Sequence, residues 1–154
     1  MNHWLLKSEP ETFGIDSLAA CPRKTTAWEG VRNYQARNML RDSMRTGDQA
    51  FFYHSNCPSP GIAGIVSVVA EGYPDASAFD PKSAYFDPAS KPEAPRWYAV
   101  DVKLVRKFKR VITLDTLRAQ ASARLSDLVI LRRGNRLSVT PVTRKDWDFI
   151  LTLE

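Results

Sequence analysis

The residues best suited to chemistry stand together between positions 28 and 37, where the chain reads WEGVRNYQAR. Two aromatic rings, two side-chain amides and two guanidinium groups surround one glycine in this segment. An indole ring stacks on planar ligands, an amide pairs with the donors and acceptors of a base edge, and a guanidinium group binds phosphate. The segment indicates recognition of a nucleobase or another planar ligand. The alternative interpretation is a core tryptophan beside a capped, solvated helix.

Short strands and helices must position this segment. Residues 4–7 predict a first strand that stops at Pro10, and residues 34–44 predict a helix that Asn33 caps. The other predicted elements are a helix at 15–21, a central strand pair at 49–54 and 62–71, a long ordered loop at 72–95, a strand from 97 onward, a short helix near 125–129, a strand at 137–142 and a helix after 143. This order predicts an α+β fold in which a mixed sheet curls into a small barrel with short helices around it.

Length and composition match one compact domain over residues 1–154, because 44% of the residues are hydrophobic and 25% are charged. No apolar run is long enough to span a bilayer, and the first residues lack the layout of a secretory signal. A cytoplasmic protein without a membrane partner is therefore expected. Cys21 and Cys57 are far apart in sequence, and the chain has only two histidines. Neither a disulfide framework nor a metal site is predicted.

Positive charge is concentrated in the last third of the chain. The net charge is +5, but residues 96–154 hold 13 Lys and Arg against 6 Asp and Glu, a net of +7, whereas residues 71–95 hold 2 against 5, a net of −3. Arg132, Arg133 and Arg136 form one basic cluster. Such clusters supply surfaces that bind phosphates, although a solubilising face has the same composition.

Six sequence blocks, in order along nearly the whole chain, resemble the EVE domain family. The blocks are WLLKSEP at 4–10, WEGVRNYQARN at 28–38, FYHSN at 52–56, YPD at 73–75, PRW at 95–97 and RGNRLSVTPVT at 133–143. EVE domains are a branch of the PUA-like superfamily, which also contains the YTH readers of methylated adenine in RNA. The resemblance implies a PUA-like pseudobarrel with a pocket for a modified base of DNA or RNA, methylated or hydroxymethylated cytosine or adenine, and it implies no cofactor.

The resemblance also implies roles for single residues around that pocket. Lys7 and Ser8 match residues that border the base in YTH readers, and Trp28 matches a tryptophan of the base cage. Asn33 matches a residue that meets a ring nitrogen. The remaining candidates for the base site are Tyr34 in the same block, His54 and Ser55 toward the base edge, and Tyr85, Phe86 or Trp97 for the second aromatic wall. The candidates for contact with the nucleic-acid backbone are four positively charged residues, Arg32, Arg37, Arg133 and Arg136.

Three other functions stay open at the level of sequence. A hydrolase or transferase would use Ser8 or Ser55 as nucleophile, but the sequence shows no complete set of nucleophile, base and acidic third residue around either serine. Adjacent strand residues point to opposite faces, which argues against His54 activating Ser55. A protein-interaction module would dock a partner on the proline-rich loop, and a small-molecule-binding domain would use the same pocket. A non-catalytic reader of modified bases remains the main prediction.

Overall fold

The computed structural model describes residues Met1–Glu154 and contains one mixed sheet of six strands. The strands are β1 (His3–Ser8), β2 (Thr25–Trp28), β3 (Gln49–His54), β4 (Gly61–Pro74), β5 (Tyr98–Thr113) and β6 (Val139–Val142). Their order across the sheet is β2-β5-β4-β3-β1-β6. β1 and β3 pair in parallel, and every other neighbouring pair is antiparallel. The α+β class and the central pair of β3 and β4 are thereby confirmed.

The sheet curves without closing. β2 and β6 are its two edges and do not pair with each other, so the predicted closure into a barrel is not observed. The register between β4 and β5 shifts at four places. Bulges of this kind bend the strands that carry them and increase the local twist, so a sheet curves even though its edges remain apart.

Five short α-helices and several 3₁₀- or π-helical turns surround the sheet. The helices are α1 (Pro10–Phe13), α2 (Ile15–Ala20), α3 (Tyr34–Asn38), α4 (Leu114–Arg118) and α5 (Arg144–Leu151). The helix predicted over residues 34–44 is divided, because α3 continues as a π-helical turn over Met39–Ser43. Its predicted cap is confirmed, since the Asn33 side chain accepts a hydrogen bond from the Ala36 amide at 3.0 Å. No helix has the length and apolar character needed to cross a membrane.

Hydrophobic residues are buried on both faces of the sheet. Along β1, Trp4 and Leu6 belong to a cluster of 17 buried residues, whereas Leu5 belongs to a second cluster of 13. This division follows from the alternation of side chains along a strand. The first cluster also contains Trp28 and Val31. Ala36 is a third member of this cluster, so the recognition segment is anchored in the core at three positions, and its other residues stay at least partly accessible.

Candidate functional site

A cavity of about 490 Å³ opens beside the recognition segment. Its walls come from the end of β1, from α1, from β2, from residues 29–32, and from Tyr85 and Ser138. Sites for small molecules and cofactors generally have volumes of about 300–1,000 Å³ and combine apolar walls with a few polar groups. The cavity therefore has the size and composition of a ligand site. Five predicted site residues line it: Lys7, Ser8, Trp28, Arg32 and Tyr85.

Trp28 is both a wall of the cavity and a core residue. It is only 7% exposed, and its ring packs edge-on against Phe52 with centroids 5.4 Å apart. Replacing a buried aromatic residue by alanine destabilises a protein by about 3–5 kcal/mol. The structure fixes this ring in place, and substitution of Trp28 would change stability and the cavity together.

Tyr85 forms a second aromatic wall, with its ring against the backbone of Gly30. Gly30 adopts a positive φ of 83°, and a Cβ atom at that position would stand 2.7 Å from the nearest atoms of the Tyr85 ring. Only glycine allows this contact, because it has no Cβ and accepts the left-handed backbone region. Of the three aromatic residues considered for the second wall, Tyr85 lines the cavity, whereas Phe86 and Trp97 do not.

The buried carboxylate of Asp75 binds residues on this side of the cavity and stabilises their arrangement. The Asp75 side chain is fully buried and accepts hydrogen bonds from the Gly30 amide at 2.9 Å and from Arg32 Nη1 at 3.0 Å. The amide and hydroxyl of Ser77 donate to its other oxygen. Burial alone raises the pKa of this carboxyl, but the hydrogen bonds from Ser77, Gly30 and Arg32 outweigh burial and hold the pKa below its usual range.

Lys7 and Glu29 are two of the four acidic or basic side chains that line the cavity. Lys7 is half-buried, and its ammonium group makes no ion pair within 4.0 Å. Burial lowers the pKa of Lys7. At the exposed rim, burial of the carboxyl and then the charge of Asp75 raise the pKa of Glu29. One hydrogen-bond donor and one acceptor therefore face the cavity without strong partners of their own.

Three residues that the resemblance assigned to the base edge do not line the cavity. Asn33 is exposed, and its side-chain oxygen is used by the helix cap. His54 Nε2 accepts a hydrogen bond from the Ile15 amide at 3.1 Å, which requires an unprotonated nitrogen, and burial lowers the pKa of this histidine. Ser55 donates its backbone amide to the Ser8 carbonyl. These contacts are structural, and a role in binding stays a prediction for all three.

Tyr34, Trp97 and Arg37 form a stack next to the cavity, outside its wall. The rings of Tyr34 and Trp97 are nearly parallel with centroids 4.7 Å apart, and the Arg37 guanidinium lies 4.8 Å from the Tyr34 centroid. Trp97 is 6% exposed and donates from Nε1 to Asp87 at 2.6 Å. Trp97 therefore supports the loop that carries Tyr85, and its role in binding stays a prediction.

The predicted backbone-binding arginines occupy two kinds of environment. Arg133 and Arg136 are exposed in the loop that leads to Ser138, which lines the cavity. Arg32 instead makes internal hydrogen bonds to Asp75, Ser77 and Tyr85. The basic loop is therefore available to a phosphate near the cavity entrance, whereas Arg32 is already engaged.

Sequence reasoning missed Asp75 and Glu29 as site residues. Asp75 stands in the YPD block that contributes to the resemblance, but an isolated acidic residue in a loop carries no sign of burial. Glu29 directly follows Trp28 and was noted only as part of the segment. In the described chain no group of three or more His, Cys, Asp or Glu residues could hold a metal ion.

The class of protein that the structure defines is an α+β domain with an open mixed sheet and a cavity of about 490 Å³ that three aromatic residues line. The sequence matches the EVE domain family over residues 2–153, and the chain belongs to that family.

Relatives and solved structures of high similarity support this assignment. Human thymocyte nuclear protein 1 is 46% identical, with 99% of this chain and 74% of the relative covered. An uncharacterised protein of Schizosaccharomyces pombe is 38% identical, with 96% and 66% covered. The crystal structure of human THYN1 in complex with 5-methylcytosine-containing DNA has a TM-score of 0.94 at 45% identity, with 99% and 97% covered. A crystal structure from Pseudomonas putida has a TM-score of 0.92 at 48% identity, with 98% of both chains covered.

Proposed function

We propose that this chain is a non-catalytic domain that binds DNA carrying a modified base, with 5-methylcytosine as the first candidate. The observation that carries the proposal is the structure of a 45% identical protein in complex with 5-methylcytosine-containing DNA, which shares this fold over 99% of the present chain. The cavity between Trp28 and Tyr85 is the part of this chain that suits such a base.

The volume of the cavity is large enough to admit a base that has left the DNA stack, which supports this proposal. Extruding a base from a duplex costs a few kcal/mol, and stacking on aromatic side chains, worth about 1–3 kcal/mol per base, offsets much of that. A methyl group at the edge of the base adds apolar area that contributes roughly 1 kcal/mol when it is buried. A modest preference for the methylated base is the expected consequence.

The polar groups of the cavity suit the hydrogen-bonding edge of cytosine. That edge presents an amino donor beside two acceptors, and carboxylates are established acceptors for this amino group. Glu29 can accept from the amino group, and the unpaired ammonium of Lys7 can donate to an acceptor of the same edge. We therefore propose these two residues as the groups that read the base, and Tyr85 and Trp28 as the surfaces on which it stacks.

The contacts of the hydroxyl and imidazole groups argue against hydrolysis. Ser8 Oγ donates to the Phe13 carbonyl at 2.6 Å, and His54 Nε2 accepts from a backbone amide. Neither serine in the predicted pocket has a base within hydrogen-bond distance, as a nucleophilic serine needs. Binding without catalysis is therefore the better interpretation. The cytoplasmic location expected from the sequence remains a prediction.

The test compares binding to oligonucleotides that differ in one base. Fluorescence anisotropy would measure the Kd for DNA duplexes, DNA single strands and RNA that contain cytosine, 5-methylcytosine, 5-hydroxymethylcytosine, adenine or N6-methyladenine. The variant is Tyr85→Ala, and the matched control is Phe86→Ala, because the two side chains are adjacent and are 38% and 39% exposed. Loss of one stacking surface should weaken binding of the preferred base by roughly 5- to 150-fold.

Each pattern of results leads to a different conclusion. Base-dependent binding that Tyr85→Ala removes and Phe86→Ala retains would support the cavity as the base site. Equal losses in both variants would assign the contact to the loop surface and contradict the cavity. Equal affinity for modified and unmodified oligonucleotides would indicate that a basic surface binds the nucleic acid without recognising the base. Absence of binding to every oligonucleotide would favour a protein partner or a small molecule.

A further inference from the structure

Arg32 is held inside the protein by every nitrogen of its guanidinium group. Nη1 donates to Asp75 Oδ2 at 3.0 Å and to the Val31 carbonyl at 3.0 Å. Nη2 and Nε donate to the Tyr85 carbonyl at 2.7 and 3.2 Å, and Nη2 also lies 3.4 Å from Ser77 Oγ. A guanidinium group has five N–H donors in a fixed plane, so these contacts occupy it almost completely.

Two aromatic rings also lie close to the same group. The Arg32 guanidinium carbon lies 5.3 Å from the Trp97 ring centroid and 5.7 Å from the Tyr85 ring centroid. Both distances are within the range of about 6 Å at which a cation is attracted to an aromatic face. Trp97 in turn stacks on Tyr34. Arg32 thus links the stack beside α3 to the aromatic wall of the cavity.

We infer that Arg32 is a positioning residue that fixes the Tyr85 wall over Gly30 and thereby sets the width of the cavity, and that it is not a phosphate contact. Its side chain is 24% exposed, and the carboxylate that it contacts is fully buried. That carboxylate also accepts from the Gly30 amide, so one ion pair holds both the floor and the wall of this side of the cavity. The inference rests on the proposed function, because the width of the cavity matters only if a base enters it.

The geometry explains why another cation would not serve. A lysine ammonium is a single charged point with three donors, and it has no planar face to lie between two rings. Lysine at position 32 would keep the positive charge and a partner for Asp75. Its single ammonium group would not donate hydrogen bonds to both the Asp75 carboxylate and the Tyr85 carbonyl, as the guanidinium group does. At a phosphate contact, by contrast, lysine keeps the positive charge that binds the phosphate, although it loses the bidentate geometry of arginine.

The experiment uses the full chain with Arg32→Lys, and Arg136→Lys as the matched control at an exposed arginine beside the cavity. Anisotropy would measure the Kd for duplexes with 5-methylcytosine and with cytosine at several salt concentrations, and circular dichroism would check folding. For Arg32→Lys we expect a loss of about tenfold or more in affinity for the methylated duplex and a ratio of the Kd values for the two duplexes close to one. The dependence of log Kd on log salt concentration should not change. Arg136→Lys should retain the wild-type preference. An Arg32→Lys variant that keeps the wild-type preference would overturn the inference.

A second variant and a second measurement cover the other outcomes. Asp75→Asn leaves the charge of Arg32 but removes its anionic partner. Positioning predicts a lost preference, whereas a phosphate contact predicts unchanged or tighter binding, which would overturn the inference. Hydrogen exchange of the segments 29–32 and 80–90 needs no DNA, and Arg32→Lys should accelerate it there and not in β3. If the wild type shows no base preference, the proposed function fails, and unchanged exchange would separately refute the positioning by Arg32.

Discussion

Replacing Gly30 by alanine should close the cavity from one side while leaving the fold intact. The backbone of Gly30 has a φ of 83°, and this left-handed region costs a residue with a Cβ about 1–2 kcal/mol. The new Cβ would stand 2.7 Å from the Tyr85 ring. Because carbon atoms pack best at about 3.5–4.0 Å, the ring must retreat by about 1 Å. The displaced atoms are the far end of an exposed side chain, so the shift changes the cavity more than it changes stability.

Gly47→Ala provides a matched control for the backbone part of this change. Gly47 has a φ of 95°, and no atom lies within 4 Å of the Cβ that alanine would add. Both variants should therefore lose about 1–2 kcal/mol of unfolding free energy, equivalent to roughly 2–8 °C in Tm for a chain of this size. Only Gly30→Ala moves the aromatic wall.

The assay combines thermal unfolding with anisotropy on the methylated and unmethylated duplexes. We expect similar Tm values for the two variants, wild-type binding for Gly47→Ala, and a loss of about tenfold or more in affinity for the methylated duplex for Gly30→Ala. Two results would refute the reasoning. Wild-type affinity of Gly30→Ala for the methylated duplex would show that Tyr85 does not belong to the site. Equal losses of binding in both variants would show that backbone strain, and not the cavity, controls affinity.

The remaining predictions concern pH and salt. Burial lowers the pKa of His54 below its ordinary value of 6.5, so the unfolded chain binds a proton at a higher pH than the folded protein does. The unfolding free energy should therefore fall as the pH decreases below about 6.5. His54→Gln keeps an acceptor for the Ile15 amide and should flatten this fall in urea unfolding between pH 8 and 5; an equal slope in both proteins would contradict the assignment. Replacing Arg133 and Arg136 together by glutamine should make the dependence of log Kd on log salt shallower by about 1–2 and leave the base preference unchanged. A changed preference would mean that these residues touch the base.

Much of the fold could be predicted because its elements carry local patterns. The continuous apolar runs of β1 and β3 follow from burial on both faces of the sheet, and the hydrogen bond from Ala36 to Asn33 is a contact between residues three positions apart. β2 was missed because its four residues are an edge strand with polar threonines. The open edges of the sheet were also missed, since register shifts between β4 and β5 have no local pattern.

The candidate site was harder to predict because its decisive contacts join distant parts of the chain. The recognition segment was found from composition alone, but composition could not choose among Tyr85, Phe86 and Trp97 for the second wall. That choice depends on Arg32, which reaches a carbonyl 53 positions further along the chain. Arg32 itself looked like a phosphate ligand because guanidinium groups near glycine and aromatic residues often bind phosphate.

The same residue types therefore have two uses in this site, and burial separates them. An arginine that meets a buried carboxylate is neutralised and becomes part of the wall, as Arg32 does with Asp75. An exposed arginine such as Arg136 keeps its charge for the solvent side. A lysine without an ion pair, such as Lys7, is half-buried at a cost to the charged form, which lowers its pKa. A lysine with a lowered pKa in a cavity is a candidate for ligand binding, which is the role proposed for Lys7, whereas the buried carboxylate that Arg32 contacts assigns this arginine to the structure of the wall.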